Sequence, residues 1–215
     1  MLPSLAPHPF PDLPAPLEEA WAPAPRDVAA TFAFALSRRP VDDARPVLVA
    51  ATAAWLNEHG RPYGPGLGDV RLLLTRVRRE VDALWAMEQA LRSGAVALTV
   101  GAIHGAALPQ TRRLEFAARQ GGAKALLLPR DLDGLSAAAR RWRITAESGA
   151  ADPDDPRAPG ATRLCAELVR ARNGRPGRWT LEQDDETHRL RLADRLADRG
   201  QAPIAGTGAP SGLAA

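Results

Sequence analysis

The chain has 215 residues, of which 45% are hydrophobic and 25% charged, a balance typical of one globular domain with a sizeable core. Its formal charge of +3 is too small to require a nucleic-acid partner, although arginines, whose forked groups match phosphate oxygens, far outnumber the single lysine, Lys124. No apolar stretch reaches the ~20 residues that cross a membrane, no secretory signal is recognised, and the lone Cys165 has no disulfide partner, so we expect a cytoplasmic protein.

The first 25 residues carry eight prolines and predict an extended arm rather than a helix. Phe10 and Leu13 are candidates to anchor this arm to the domain or to a partner, although a loose arm is the simpler interpretation. From Asp27 to Arg39 apolar residues recur at helical spacing, and Pro40 closes the predicted helix.

Short apolar runs then alternate with amphipathic helices. Buried strands are predicted at Val47–Ala51, Leu72–Val77, Ala95–Val100 and Ala125–Leu128. A helix over Thr111–Gln120 separates the last two of these strands and ends at a pair of glycines. Continuous apolar strands separated by helices indicate an α/β fold with a mainly parallel sheet that helices flank on both faces.

The helix between the second and third strands has one apolar face, formed by Val81, Leu84, Trp85 and Leu91. Its end is marked by Ser93-Gly94. We therefore expect Trp85, and Met87 beside it, to lie in the core rather than at a partner site. Loss of Trp85 is then expected to act through folding.

The pattern changes near residue 140. A short strand is predicted at Arg141–Thr145, followed by a loop over 149–160. Two longer strands, Arg163–Arg172 and Arg178–Gln183, flank a turn, and the alternation of Trp179 and Leu181 with polar residues predicts an antiparallel hairpin with one buried face. Leu190 and Leu192 suggest a last short strand.

These elements divide the chain into three parts. We expect a proline-rich arm over residues 1–25, one domain over 26–193 and a flexible tail over 194–215.

This order of elements is that of a RecA-like ATPase core, which binds nucleotide through a glycine-rich loop before its first helix. The corresponding loop here, Trp21–Asp27, contains no glycine and no lysine, and its prolines Pro23 and Pro25 have no N–H group to offer to a phosphate. The third predicted strand also lacks the terminal acidic residue that reaches a metal ion. The sequence therefore predicts a degenerate phosphate-binding loop and no nucleotide, cofactor or catalytic residue.

Other candidate sites are weak. His104 follows the third strand alone, and a lone histidine is more often structural than catalytic. His8, His59 and His188 show no metal-ligand spacing, which predicts no metal site. The acidic run Asp184–Glu186 is better explained by a solvated turn than by a cation site.

Several stretches together resemble the bacterial ImuA family: Tyr63–Arg76, Asp82–Gly94, Thr111–Leu114, Ala137–Arg143 and Glu167–Leu181. The resemblance covers roughly residues 26–193. It implies a fold like those of RecA and the cell-division inhibitor SulA, and a first strand ahead of the Asp27–Arg39 helix, where the pattern alone predicts an arm.

The resemblance also implies partners. ImuA proteins act with ImuB, an inactive Y-family polymerase homologue, and with an error-prone replicative-type DNA polymerase, in translesion synthesis during the SOS response. The leading hypothesis is therefore a non-catalytic adaptor that binds an ImuB-type protein, with DNA and a second copy of the chain as further candidate partners. Two alternatives are an ATP-dependent RecA-like DNA-binding protein, which the missing lysine and glycines disfavour, and a SulA-like inhibitor of cell division.

Five arginines are the candidate contacts to DNA or to a protein partner: Arg140, Arg141, Arg172, Arg175 and Arg178. The last three gather around the predicted hairpin turn, where they would contact phosphates without reading bases. A charged hairpin tip is, however, also the usual form of a soluble turn.

Overall fold

The structure is a computed structural model and describes residues 9–11, 13–68, 70–149, 151–152, 155, 157–158, 160–184 and 189–193. Its strands are β1 Leu17–Trp21, β2 Val47–Thr52, β3 Leu72–Val77, β4 Leu98–Ala102, β5 Lys124–Leu128, β6 Arg140–Glu147, β7 Arg163–Ala171, β8 Gly177–Gln183 and β9 Leu190–Leu192. Its α-helices are α1 Val28–Ser37, α2 Ala53–His59, α3 Glu80–Ser93 and α4 Leu108–Gln120. Two 3-10 turns, Pro25–Asp27 and Gly64–Leu67, complete the described elements.

One sheet of nine strands, in the order β3-β2-β4-β5-β1-β6-β7-β8-β9, organises the described chain. The strands from β3 to β6 in this order pair in parallel, and β6 to β9 pair antiparallel. This arrangement confirms the predicted α/β class, the mainly parallel sheet and the C-terminal antiparallel hairpin. Parallel strands require crossover connections, which α1 to α4 supply between β1 and β5, while a segment without a helix connects β5 to β6.

Helices pack on both faces of the parallel part of the sheet. On one face, α1 inserts Phe34 among side chains of β2, β4, β5 and β6, and α2 adds Leu56 beside Ala51 and Ala102. On the other face, α3 and α4 cover β2, β4 and β5 through side chains such as Met87 and Leu114. The predicted sheet with helices on both faces is therefore present.

The antiparallel strands have one buried face, as predicted. Leu164, Leu168, Trp179 and Leu181 extend the core on the α1 side of the sheet. The opposite face of these strands carries charged pairs, such as Arg163 with Glu182 at 3.0 Å. One apolar and one polar face is the usual pattern of an antiparallel sheet that is covered on one side only.

The sequence pattern did not predict the strand β1, which corrects the expected arm; only the family resemblance implied a first strand ahead of α1. Leu17–Trp21 lies in the interior of the sheet between β5 and β6, so the domain begins before residue 26. Upstream of β1, Phe10 packs against Trp142 and Trp179, with ring centroids 5.8 and 5.7 Å apart, whereas Leu13 is exposed. The arm interpretation is therefore wrong for β1, whereas Phe10 anchors the preceding segment to the domain, one of the two roles expected of it. Residues 1–8 and the predicted tail over 194–215 lie outside the described residues.

The buried face of α3 differs from the predicted one. It consists of Ala83, Leu84, Met87 and Leu91, whereas Trp85 is 64% and Val81 47% exposed. The prediction that Trp85 lies in the core is therefore wrong, while the prediction for Met87 is confirmed. Leu84 and Leu91 are common to the predicted and the observed face, and the sheet contacts the side that adds Ala83 and Met87, where Gly101 of β4 leaves room for the sulfur atom of Met87.

Arg45 links the C-terminal ends of α3 and α4. Asp43 holds its guanidinium group at 2.6 Å, and that group donates to the carbonyl oxygens of Gly94 at 2.8 Å and Gly122 at 2.9 Å. The two ends approach so closely that a Cβ atom at Gly121 would lie 1.7 Å from the carbonyl oxygen of Leu91. Cationic groups at helix C-termini are favourable because they satisfy unpaired carbonyls and the helix dipole.

We expect this link to make stability depend on pH. Hydrogen bonding from Arg45 lowers the pKa of Asp43 below its usual value. A carboxyl group whose pKa is lower in the folded state stabilises the fold above its unfolded pKa, and the contribution is lost as pH falls through the folded pKa. Thermal melts of the wild type and Asp43→Asn should therefore differ near neutral pH and converge in acid. Equal melting temperatures at neutral pH would show that Asp43 contributes nothing.

Candidate functional site

A cleft of about 350 Å³ lies at the carboxyl edge of the parallel strands. The ends of β1, β2, β4 and β5 form its floor, α1 and α2 its sides, and the loops after β1, β4 and β5 its rim. In open α/β sheets, ligands bind at this edge, where the connections leave in opposite directions. The position of the cleft therefore makes it the first candidate for a ligand site.

The loop between β1 and α1, which the sequence predicts to be a degenerate phosphate-binding loop, borders the cleft. It contributes Ala22 to Pro25, and the 3-10 turn Pro25–Asp27 follows before α1. Asp27 is buried, and its side chain accepts a hydrogen bond from the backbone N–H of Ala146 at 2.8 Å. A carboxylate at the start of a helix occupies the place that the helix dipole favours for a phosphate and repels that anion.

The remaining rim carries histidine and arginine rather than acidic metal ligands. His104, after β4, is exposed; its ring contacts Glu80, and its backbone N–H donates to the same carboxylate at 2.8 Å. Arg130 follows β5 on the rim, while Lys124 stands at the opposite end of that strand. None of the described residues form a group of three or more potential ligands that could hold a metal ion.

The aromatic wall of the cleft comes from a helix that the sequence pattern did not reveal. Trp55 and His59 of α2 line the cleft, and their rings are 4.8 Å apart. The helix begins at Thr52, whose hydroxyl group accepts from the backbone N–H of Trp55 at 3.2 Å. A threonine before a short apolar segment was the available signal for this helix.

Arg140 and Arg141, two of the five candidate contact residues, belong to the interior. Arg140 pairs with Glu18 at 3.0 Å and Arg141 with Glu19 at 2.7 Å, and both carboxylates are buried in β1. Buried carboxylates thus hold both side chains inside the domain, a structural role that the prediction of contacts to DNA or a partner did not include. Their structural role was hidden because β1 was not recognised in the sequence.

Glu18 is the centre of this buried network. Its carboxylate also accepts from Arg38 at 3.0 Å and from the indole N–H of Trp142 at 3.2 Å. The backbone N–H of Ala15 donates to it at 2.8 Å. A buried charge is tolerated when it is paired and fully hydrogen-bonded, as here.

The three remaining candidate arginines lie near the turn between β7 and β8, as predicted. Arg172 pairs with Glu115 of α4 at 2.9 Å, and Arg178 donates to the sulfur atom of the buried Cys165 at 2.8 Å. Arg175 is exposed in the turn. All three arginines are exposed in the hairpin, and two of them, Arg172 and Arg178, also serve the fold.

The acidic run predicted to be a solvated turn falls largely outside the described residues, which include Asp184 but not residues 185–188. Asp184 lies 3.9 Å from Arg191.

No helix in the described part of the chain is long and apolar enough to cross a membrane.

The sequence comparisons with curated proteins give relatives that carry the same name. No family model matches the chain. "Protein ImuA" of Caulobacter vibrioides strain NA1000 / CB15N is 32% identical over 164 residues, which cover 67% of this chain and 66% of that protein. The protein of the same name from strain ATCC 19089 / CIP 103742 / CB 15 gives the same values. The chain thus matches just under two thirds of the length of these curated relatives.

A comparison of three-dimensional structures gives a weaker similarity than the sequence comparison does. The crystal structure of SulA from Pseudomonas aeruginosa superimposes with a TM-score of 0.41 and 23% sequence identity, over 54% of this chain and 98% of that one.

Proposed function

Because the chain belongs to the ImuA family, we propose that it is a non-catalytic adaptor with a RecA-like core, which acts in SOS-induced, error-prone translesion synthesis in the cytoplasm. In this proposal it binds an ImuB-type inactive Y-family polymerase homologue and brings it to an error-prone replicative-type DNA polymerase. DNA and a second copy of the chain are further candidate partners.

One observation carries the non-catalytic part of the proposal, namely the segment between β1 and α1. It lies at the edge of the cleft where a RecA-like core binds phosphates, yet it offers Pro23 and Pro25 in place of glycine and lysine, and it is followed by the buried Asp27. Phosphate binding there needs backbone N–H donors and a cation. The parallel sheet with a cleft at its carboxyl edge supports a RecA-like core. The loop supports a non-catalytic role because it lacks the groups that bind phosphate.

We expect no binding of ATP at micromolar concentration. Isothermal titration of the full chain with ATP and magnesium should give no heat of binding, because the loop supplies neither N–H donors at Pro23 and Pro25 nor a lysine. Binding at micromolar Kd, abolished by blocking the cleft with Ala54→Trp, would contradict the proposal. The matched control is Leu135→Trp, an exposed position outside the cleft.

We expect DNA binding to be weak and to fall steeply with salt, since phosphate contacts release counterions. Changing Arg172, Arg175 and Arg178 together to alanine should weaken binding to all sequences alike. Fluorescence anisotropy with two unrelated oligonucleotides measures this. Because Arg172 also holds Glu115, the single change Arg175→Ala is the cleaner variant. Unchanged affinity in both variants would remove the hairpin from the DNA-binding surface.

A further inference from the structure

The outer faces of α3 and α4 expose large apolar side chains that a domain core would normally bury. Trp85 of α3 is 64% exposed and Phe116 of α4 62% exposed, and Val81 stands one turn before Trp85. This surface lies on the opposite side of the sheet from α1 and α2, whose side chains border the cleft. The cleft therefore does not account for it.

Trp85 and Phe116 stand on neighbouring helices. Arg113 of α4 lies 3.6 Å from Glu88 of α3, so these two residues mark the same level of the pair. Trp85 precedes Glu88 by one turn and Phe116 follows Arg113 by one turn. Both helices are crossovers between parallel strands and run in the same direction, so the two aromatic side chains are offset by roughly 9 Å along the axes. A groove between two parallel helices separates them.

The charged side chains around this groove are predominantly positive. Glu88 pairs with both Arg92 and Arg113, and its side chain is only 13% exposed. This carboxylate thus lies low in the surface and serves two arginines that extend further into solvent.

Arg112 adds a further exposed cation on the outer face of α4, and it makes no ion pair within the described part of the chain. One carboxylate cannot neutralise two guanidinium groups, so the surface keeps an excess of positive charge. Tryptophan, phenylalanine and arginine are enriched in the cores of protein interfaces, where aspartate and glutamate are depleted.

We propose that the groove between α3 and α4 binds an acidic amphipathic helix of a partner protein. Apolar side chains about two turns apart on that helix would pack on Trp85 with Val81 and on Phe116. Its carboxylates would meet Arg112 and the two arginines, Arg92 and Arg113, that Glu88 leaves incompletely neutralised. This mode of recognition places one apolar helical stripe in a groove and uses charge for orientation and rate of encounter.

The experiment starts from a displayed library of random peptides of about 16 residues, or roughly four helical turns. It is panned against the purified full chain, and selected peptides are synthesised and their Kd measured. We expect acidic amphipathic sequences, bound at least about tenfold more weakly by Trp85→Ser/Phe116→Ser and by Arg112→Glu/Arg113→Glu. Leu135→Ser, which removes an exposed leucine elsewhere, should bind like the wild type.

Circular dichroism melts of all variants establish that binding is compared between folded proteins. Peptides that are basic, that bind the variants as tightly as the wild type, or that fail to be enriched at all would each overturn the proposal. A poly(dT) oligonucleotide is the second probe, because exposed aromatics and arginines also bind single-stranded DNA. If Trp85→Ser/Phe116→Ser loses poly(dT) binding while no acidic peptide is selected, the groove binds DNA and the proposed occupant is wrong.

Discussion

Replacing Glu18 by alanine is expected to destabilise the domain by about 3–5 kcal/mol, because it removes one partner from a buried ion pair and leaves the other uncompensated. Arg38 and Arg140 would both keep a buried or half-buried positive charge without its carboxylate, and the indole N–H of Trp142 would lose its acceptor. A domain of this kind has about 5–15 kcal/mol of stability in total. Urea denaturation monitored by circular dichroism measures the loss.

Glu167→Ala is the matched control for this change. Glu167 belongs to an adjacent part of the same sheet and pairs with Arg143 at 3.6 Å, but its side chain is 41% exposed. An exposed ion pair contributes about 0–1 kcal/mol, so this variant should unfold almost like the wild type. If Glu18→Ala and Glu167→Ala lost the same small amount of stability, the network around Glu18 would not hold the strands β1 and β6 together.

Trp142→Ala is expected to cost about 3–5 kcal/mol, as is usual when a fully buried aromatic side chain is truncated. Trp142 has no exposed surface, and its ring packs against Phe34 at 5.1 Å and Trp179 at 6.0 Å between centroids. Truncation of Trp142 would also remove the ring against which Phe10 packs. Thermal and urea melts measure the change.

The contrast with Trp85 makes this prediction specific. Trp85→Ala removes the same side chain from an exposed position, where substitutions usually change stability by less than about 0.5 kcal/mol. We therefore expect its melting temperature to stay close to that of the wild type. A clear loss of stability in Trp85→Ala, equal to that in Trp142→Ala, would mean that α3 packs on the sheet through the face that carries Trp85.

The strands that are apolar throughout were predictable from the sequence. Val47–Thr52 and Lys124–Leu128 differ from the predicted bounds by one residue. Leu72–Val77 has the predicted bounds but is an edge strand without a buried residue, so the prediction that it is buried is wrong. A strand buried on both faces must be apolar at every position, so its pattern is visible without any knowledge of its neighbours. The hairpin could be predicted for a different reason. Only one of its faces is covered, so apolar Trp179 and Leu181 alternate with polar residues along β8.

β1 was not predictable by the same reasoning. Two of its five residues, Glu18 and Glu19, are acidic, and prolines flank it. It can be central only because Arg38, Arg140 and Arg141 neutralise the two carboxylates, and these partners are distant in the sequence. Ion pairing across the fold overrides local composition here. For the same reason, the sequence alone does not show that Arg140 and Arg141 are interior residues.

The position of Trp85 shows a second limit of the sequence pattern. Helical spacing identifies which residues share a face but not which of two apolar faces meets the sheet. Ala83 and Met87 pack against the sheet, and a Cβ atom at Gly101 of β4 would lie 2.5 Å from the sulfur atom of Met87. The missing side chain at Gly101 thus makes room for Met87, a contact that helical spacing alone does not reveal. The position of the loop before α1, by contrast, could be predicted from the sequence, because it follows from the order of the helices and strands.

The most direct test of the adaptor proposal is co-purification of the full chain with a tagged ImuB-type protein after co-expression, in buffer without nucleotide. Size-exclusion chromatography of the eluate should show one complex, with the same amount of this chain bound whether ATP is added or is removed enzymatically. Absence of a complex with the folded wild type, or a complex that forms only when ATP is present, would contradict the proposal of a non-catalytic adaptor.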